Sequence, residues 1–386
     1  MKKVANKKWK ILAIVLACVI VALGCVGIGI WEFGKDVYYT NKEGNIAYQK
    51  AHMEYLKNEF YVDYVPKGEQ TFCNFDLQQA LNNGVKYNEV TFLATHNSYQ
   101  RLITEETKKF QIPFQVLSLG IVNVIFNKNT FENDTLTNQF ENGIRSIELD
   151  IEAREMDGEV SFTVTHKPML DSATTCYDFA TALEEIVEWS NHNPNHLPIS
   201  IIVEPKQDVP NVDGLKIFGI EHVDEFDVIL REKLADKLLT PNDMLRSHAT
   251  FKDMRESDDW MQLKDMLGKI VVILHENPMT EGYVAIDETL RTQAMIPSLE
   301  YDQRNASYAS IIIDNEPKNT VERRDELQGN NFYVRTRADH YPKSSEERYD
   351  LVEKCGSQII TSDYGPRTVR LDEHLYSFDG YTVKLS

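Results

Sequence analysis

Short apolar runs that break off in polar residues recur from residue 90 onward. They are Val90–Thr95, Ser146–Ile151, Ser161–Thr165, Ile199–Val203, Ile270–Leu274, Ser310–Ile313, Phe332–Arg335 and Gln358–Thr361. Continuous apolarity, rather than strict alternation, predicts strands buried on both faces, as in a parallel sheet covered by helices. Stretches with helical spacing lie between many of them. Tyr177–Ser190, for example, carries Phe179, Leu183, Ile186, Val187 and Trp189 behind an acidic face. Eight such strands predict an α/β fold, an irregular (β/α)8 barrel of the TIM type. The irregularity falls at Ile151–Glu159, too short for the helical crossover that parallel strands need. There Met156-Asp157-Gly158 reads as a tight turn.

A different pattern precedes the barrel. Ile11–Trp31 is 21 positions without a formal charge, preceded by Lys2, Lys3, Lys7, Lys8 and Lys10. That length can span a bilayer as a helix, with the lysines left on the cytoplasmic side. A cleaved signal peptide and lipidation at Cys25 are the competing readings. The expected organisation is a basic stub and transmembrane anchor over 1–31, a stalk and lead-in over 32–85, and a catalytic barrel over 86–386. The barrel would then be extracytoplasmic, held at the cell membrane, or secreted if the segment is cleaved. Asn45–Phe60 within the stalk has helical spacing of its own.

Charge narrows the partners. With the five N-terminal lysines set aside, 36 of the 41 basic residues face 60 acidic ones, a net of −24. Such a surface disfavours nucleic acid and gives no general attraction to anionic lipid. An anionic substrate would need a local site, and a bound cation is one way to make it. Cys73, Cys176 and Cys355 leave room for one disulfide but have no zinc-site spacing.

In a barrel of this kind chemistry sits at the C-terminal ends of the strands. Those ends carry His96-Asn97, Glu148-x-Asp150, His166 and Glu204. Alternation along a strand puts Glu148 and Asp150 on one face, and buried carboxylates persist only if paired or bound to a cation. Glu148, Asp150 and Glu204 supply three charges and Asn97 a neutral oxygen. This hard oxygen set suits Ca²⁺, and Mg²⁺ less well. Each element alone has an ordinary explanation: an ion pair with Arg145, a turn at Asn97, a hydrogen-bonded His166. Their coincidence on consecutive strands points to a site.

Taken together, THNSY, Asn142–Asp150, Val164-Thr165-His166 and Ile202–Lys206 resemble the phosphatidylinositol-specific phospholipase C superfamily, in its calcium-dependent secreted branch. Val334–Asp339 and Thr361–Tyr364 resemble the later strand ends of secreted members, so the likeness runs over about residues 88 to 370. The resemblance implies His96 and His166 as the catalytic histidines. It also implies Asn97, Glu148, Asp150 and Glu204 as Ca²⁺ ligands, and Lys206 and Arg337 as phosphate or headgroup contacts. The implied substrate is an inositol phospholipid at a membrane, cleaved to diacylglycerol and a cyclic inositol phosphate. The alternatives are a glycerophosphodiester phosphodiesterase, whose His-Arg-Gly is here His96-Asn97-Ser98, and a membrane-tethered lipid-binding protein without activity. Phe114–Phe126 is either a core helix or an apolar lip dipping into lipid.

Overall fold

A computed structural model describes residues 2–117, 132–339, 345–364 and 376–386, with the side chains of 2–23 and 113–117 outside that description. Eight parallel strands close on themselves. They are β1 (Val90–Thr95), β2 (Ser146–Met156), β4 (Ile199–Pro205), β6 (Ile270–Leu274), β7 (Ile296–Leu299), β8 (Ile311–Ile313), β9 (Tyr333–Arg337) and β10 (Ile359–Ser362). Neighbours follow the order β1-β10-β9-β8-β7-β6-β4-β2, and the ring closes where Ala94 of β1 meets Ser146 of β2. That contact is a single register pair, against six between β2 and β4. The strands are buried along nearly their whole length, the reason for their unalternating apolar sequences.

The barrel is the expected one with one strand exchanged. Ser161–Thr165 is not a stave. It overlaps β3 (Glu159–Val164), which turns back at Asp157-Gly158 and pairs antiparallel with the overlong β2. The eighth stave is β7, whose four residues Ile-Pro-Ser-Leu carry too little pattern, and a proline, to be read as a strand. Two further short strands, β5 (Leu215–Lys216) and β11 (Val383–Leu385), pair antiparallel with β2 and β1.

The helix over Lys2–Tyr55, α1, has 54 residues and would extend about 80 Å at 1.5 Å per residue. It includes the expected membrane span. Most of that span lies where side chains are outside the described residues, and among the described residues no helix is long and apolar enough to cross a membrane. The expected stalk, in contrast, is docked. Tyr38, Asn41, Asn45 and Gln49 recur every three to four residues and are all buried against the barrel, with Leu56 buried just past the helix end. Phe114–Phe126 falls outside the described side chains, at and beyond the end of the helix Glu105–Leu117. Cys73, Cys176 and Cys355, which left room for one disulfide, are buried free thiols.

Candidate active site

The loop after β1 begins the site. Asn97 adopts φ +45°, a left-handed conformation uncommon outside glycine. Neighbouring groups hold it there. Asn133 donates through Nδ2 to the carbonyls of His96 and Asn97 at 3.0 and 2.9 Å. Ser98 N–H donates to the Glu148 carbonyl at 3.0 Å, and Glu148 N–H donates back to Ser98 Oγ at 2.8 Å. The loop is thereby fastened across the closing edge of the barrel, onto the strand that carries the carboxylates.

Those carboxylates converge. One oxygen each from Glu148, Asp150 and Glu204 lie within 4.8 Å of one another. Asp150 faces Glu204 in the β2–β4 register, and Glu148 lies two residues back on the same face. Three like charges in a buried site require compensation. Lys206 Nζ donates to Asp150 Oδ2 at 2.8 Å and to Glu204 Oε1 at 3.1 Å. Arg335, fully buried on β9, donates through Nη2 to Glu148 Oε2. Burial works against the charge of Glu204, yet Lys206 and the nearby His275 and His96 hold it down at about 2. Burial likewise opposes ionisation of Glu148, and Arg335 and His96 hold it low. Burial dominates at Asp150 and raises it, although Lys206 pulls the other way.

This donor set fits a hard divalent cation. The Asp150 Oδ1 atom is buried and makes no hydrogen bond of good geometry, and the nearby Tyr99 hydroxyl is raised by burial and by Asp150. Convergent carboxylate oxygens with spare lone pairs, and no thiol, are the chemistry of a calcium site. Asn97 is buried in the loop next to His96, and the bonds that tie this loop to Glu148 come from Ser98 and not from its own carboxamide.

The two histidines are held alike. His96 Nδ1 lies 2.7 Å from Asp363 Oδ1, and its Nε2 lies 3.5 Å from Glu148 Oε1. His166 Nδ1 lies 2.7 Å from Asp171 Oδ2. It reaches the site because Val164 pairs with Ile151, so two residues later the hairpin has returned to the level of the barrel mouth. Burial would discharge the His166 ring, but its hydrogen bond to Asp171 and the charges of Asp171 and Asp150 raise it above the ordinary range.

Lys206 therefore sits among the carboxylates, where the sequence suggested a phosphate contact. Arg337 donates to Asp363 Oδ1 at 2.8 Å and leaves its buried Nε without a partner. It also lines a polar cleft of about 910 Å³ over β6–β9, together with His275, Glu300, Asp314, Asn315 and Arg348.

Sequence reasoning missed Arg335, Asp363, Asp171, His275 and Glu152. Asp363 stood in the noted Thr361–Tyr364 stretch and Arg335 in the noted Val334–Asp339 stretch, neither with a role of its own. Glu152 continues the Glu148-x-Asp150 alternation and could have been found from it. It accepts bonds from Thr163 and Thr165, and burial pushes it up to about 8.

Comparison with known proteins bears on the family and the fold. The family profile described as phosphoinositide phospholipase C, Ca²⁺-dependent, matches residues 154–386. That match holds His166, Glu204, Lys206 and Arg337 but starts beyond His96, Asn97, Glu148 and Asp150. No curated protein sequence matches the chain. Among solved structures, a Ca²⁺-dependent phosphatidylinositol-specific phospholipase C from Streptomyces antibioticus is similar at 17% identity and TM-score 0.52, over 73% of this chain and 95% of that one. A calcium-dependent phosphoinositol-specific phospholipase C from Pseudomonas sp, in a myoinositol complex, is similar at 14% identity and TM-score 0.54, over 83% and 100%. At those identities the likeness speaks for the fold.

Proposed function

The chain belongs to the calcium-dependent phosphoinositide phospholipase C family, and from that premise and the site geometry we propose a division of labour for the cleavage of phosphatidylinositol. The single observation that carries it is the pair of imidazoles, each gripped at Nδ1 by an aspartate. That grip fixes the tautomer and leaves Nε2 to exchange a proton.

His96 is the general base, taking the proton of the inositol 2-hydroxyl as that oxygen attacks phosphorus. Glu148, the other candidate, is a poor base because the buried Arg335 guanidinium stabilises its charge. His166 is the general acid. Asp171 keeps it protonated, and it delivers its proton to the departing diacylglycerol oxygen. Asp363 and Asp171 are positioning residues. Glu148, Asp150 and Glu204, with Asn97 beside them, would hold Ca²⁺, which when bound supplies charge stabilisation at the phosphoryl oxygens and acidifies the attacking hydroxyl. Arg337, which lines the polar cleft, stands on the headgroup side.

We place the enzyme at a membrane surface, anchored by the uncharged N-terminal segment with its barrel on the extracytoplasmic side. The lysines ahead of that segment support this orientation. Incubation of the full chain with phosphatidylinositol vesicles, followed by ³¹P NMR, tests the reading. Cyclic inositol phosphate should form with Ca²⁺ and not with chelator. Release of glycerol phosphate from a water-soluble diester, with inositol lipids untouched, would overturn it.

A further inference from the structure

The N-terminal helix meets the barrel beside the acid half of the site. At Gly34 the approach is so close that a Cβ would lie 2.9 Å from Phe110 and 3.1 Å from Met169. Phe33 stacks edge-on against Phe110, with ring centroids 5.5 Å apart. Toward its N-terminus the helix diverges from the barrel, and a cleft of about 380 Å³ opens between the two. Its walls are Gly27, Ile30 and Trp31 on α1, Phe110, and the loops Lys167–Leu170 and Asp208–Pro210. The volume is within the ordinary range of ligand pockets, roughly 300–1,000 Å³. The lining is mostly aliphatic and aromatic, and exposed Val26 and Ile28 continue the apolar surface along the helix.

The position of this cleft gives it a use. One wall begins at Lys167, the neighbour of His166, and the other at Asp208, two residues past Lys206. On the opposite side of the carboxylates the large cleft over β6–β9 is lined by charged and amide groups. The barrel mouth therefore has a polar side and an apolar side, with the reacting groups between them. An amphiphilic phosphodiester matches that division in one orientation only. We propose that the cleft between α1 and the loops after β3 and β4 takes an acyl chain of the phospholipid substrate, with the inositol in the polar cleft. This rests on the phospholipase reading, which puts His166 on the leaving diacylglycerol oxygen, and so requires the lipid tails to run off from the His166 side.

It follows that α1 is a wall of the substrate site as well as a tether. Docking of its residues 38–49 keeps the wall in place: Asn41 Nδ2 donates to Ser172 Oγ at 2.9 Å, and Asn45 Nδ2 to the Ser172 carbonyl at 2.6 Å.

The test uses the full chain in phosphatidylcholine nanodiscs with Ca²⁺. The probe is a phosphatidylinositol bearing a photoactivatable diazirine on one acyl chain and lacking the inositol 2-hydroxyl, so that turnover does not consume it. Peptide mapping should find adducts at Gly27–Trp31, Lys167–Leu170 and Val209–Pro210, several-fold above those left by the same probe with a choline headgroup. A Cβ at Gly27 meets nothing within 4 Å, so Gly27→Phe projects a ring into the cleft without strain and should reduce labelling of Lys167–Leu170 several-fold. Val209→Asp, which charges the other wall, should do the same, with near-ultraviolet circular dichroism showing that both variants are folded. Equal labelling by the two headgroups, or adducts confined to residues 11–24, would overturn the acyl cleft. If the wild type cleaves phosphatidylinositol and yet its cleft stays unlabelled, only this inference fails. If it cleaves no inositol lipid, the functional reading beneath it fails.

Discussion

Single side chains carry the mechanism, and their substitutions separate acid from base and metal from phosphate. Asp171→Asn removes the group that keeps His166 charged. A general acid must be protonated, so activity falls as pH rises through its pKa. The substitution lowers that pKa, and the alkaline limb of the kcat profile should move to lower pH, with kcat down by about 10²–10⁴-fold at neutrality. His96→Ala and His166→Ala should each abolish turnover while calcium binding, measured by calorimetry, persists. Lys206 makes a sharper test, because its ammonium neutralises the very oxygens a cation would use. Lys206→Met should tighten Ca²⁺ binding, by about tenfold if roughly 1.4 kcal/mol of competition is relieved. Glu204→Gln should weaken it. A lysine that only touched phosphate would leave the calcium isotherm unmoved when replaced.

At the scale of elements, the N-terminal helix is a clamp on the acid loop. Asn41 and Asn45 bind Ser172, next to the Asp171 that holds His166, and Asn45 Oδ1 accepts from Thr174 N–H. Asn45→Leu would strand a buried carbonyl and a buried N–H, at about 1–3 kcal/mol for each group left unsatisfied. Differential scanning fluorimetry should record a melting point lower by several degrees, and kcat should drop more than KM changes. This clamp was not legible in the sequence. Buried Asn and Gln on a helix read as a solvated face until the partner backbone is known. The barrel was legible because parallel staves are apolar throughout, and His96, Glu148, Asp150, His166 and Glu204 because chemistry collects at strand ends. The counting failed where pattern and topology part company. β3 was counted with the staves although its Glu-Val-Ser-Phe-Thr-Val alternates polar and apolar residues and it folds back after a two-residue turn, while β7 is a stave of four residues with a proline in it. Arg335 was passed over for a related reason: a charged residue inside a strand shows its role only when Glu148, 187 positions earlier, is seen across the barrel.

For the molecule as a whole, pH acts through buried groups more than through net charge. His196 is sealed between Ser190 and the Leu197 carbonyl, and burial lowers it to about 3. The unfolded chain binds a proton there below about 6.5 and the folded chain does not. Stability should therefore be lost as pH falls from about 6.5 toward 3, at up to about 1.4 kcal/mol per unit from this residue. Replacing His196 with Gln should flatten that slope in urea melts at pH 5 and 7. The closing edge of the barrel has a different sensitivity. Among the described residues, only Ala94 and Ser146 pair in register between β1 and β2, and the edge is reinforced by the Ser98 bonds to Glu148 and by the approach of His96 Nε2 to Glu148 Oε1. His96 and Asn97 stand on one side of this edge, Glu148 and Asp150 on the other. If the ring breathes anywhere, it does so here, and the breathing pulls the reaction centre in half. A cation held from both sides would act as a latch, so amide hydrogens flanking the edge should exchange more slowly in Ca²⁺ than in chelator, while those between β2 and β4 stay as they were. The enzyme would then be most open to unfolding and to proteolysis when it is idle, and calcium would govern its lifetime along with its rate.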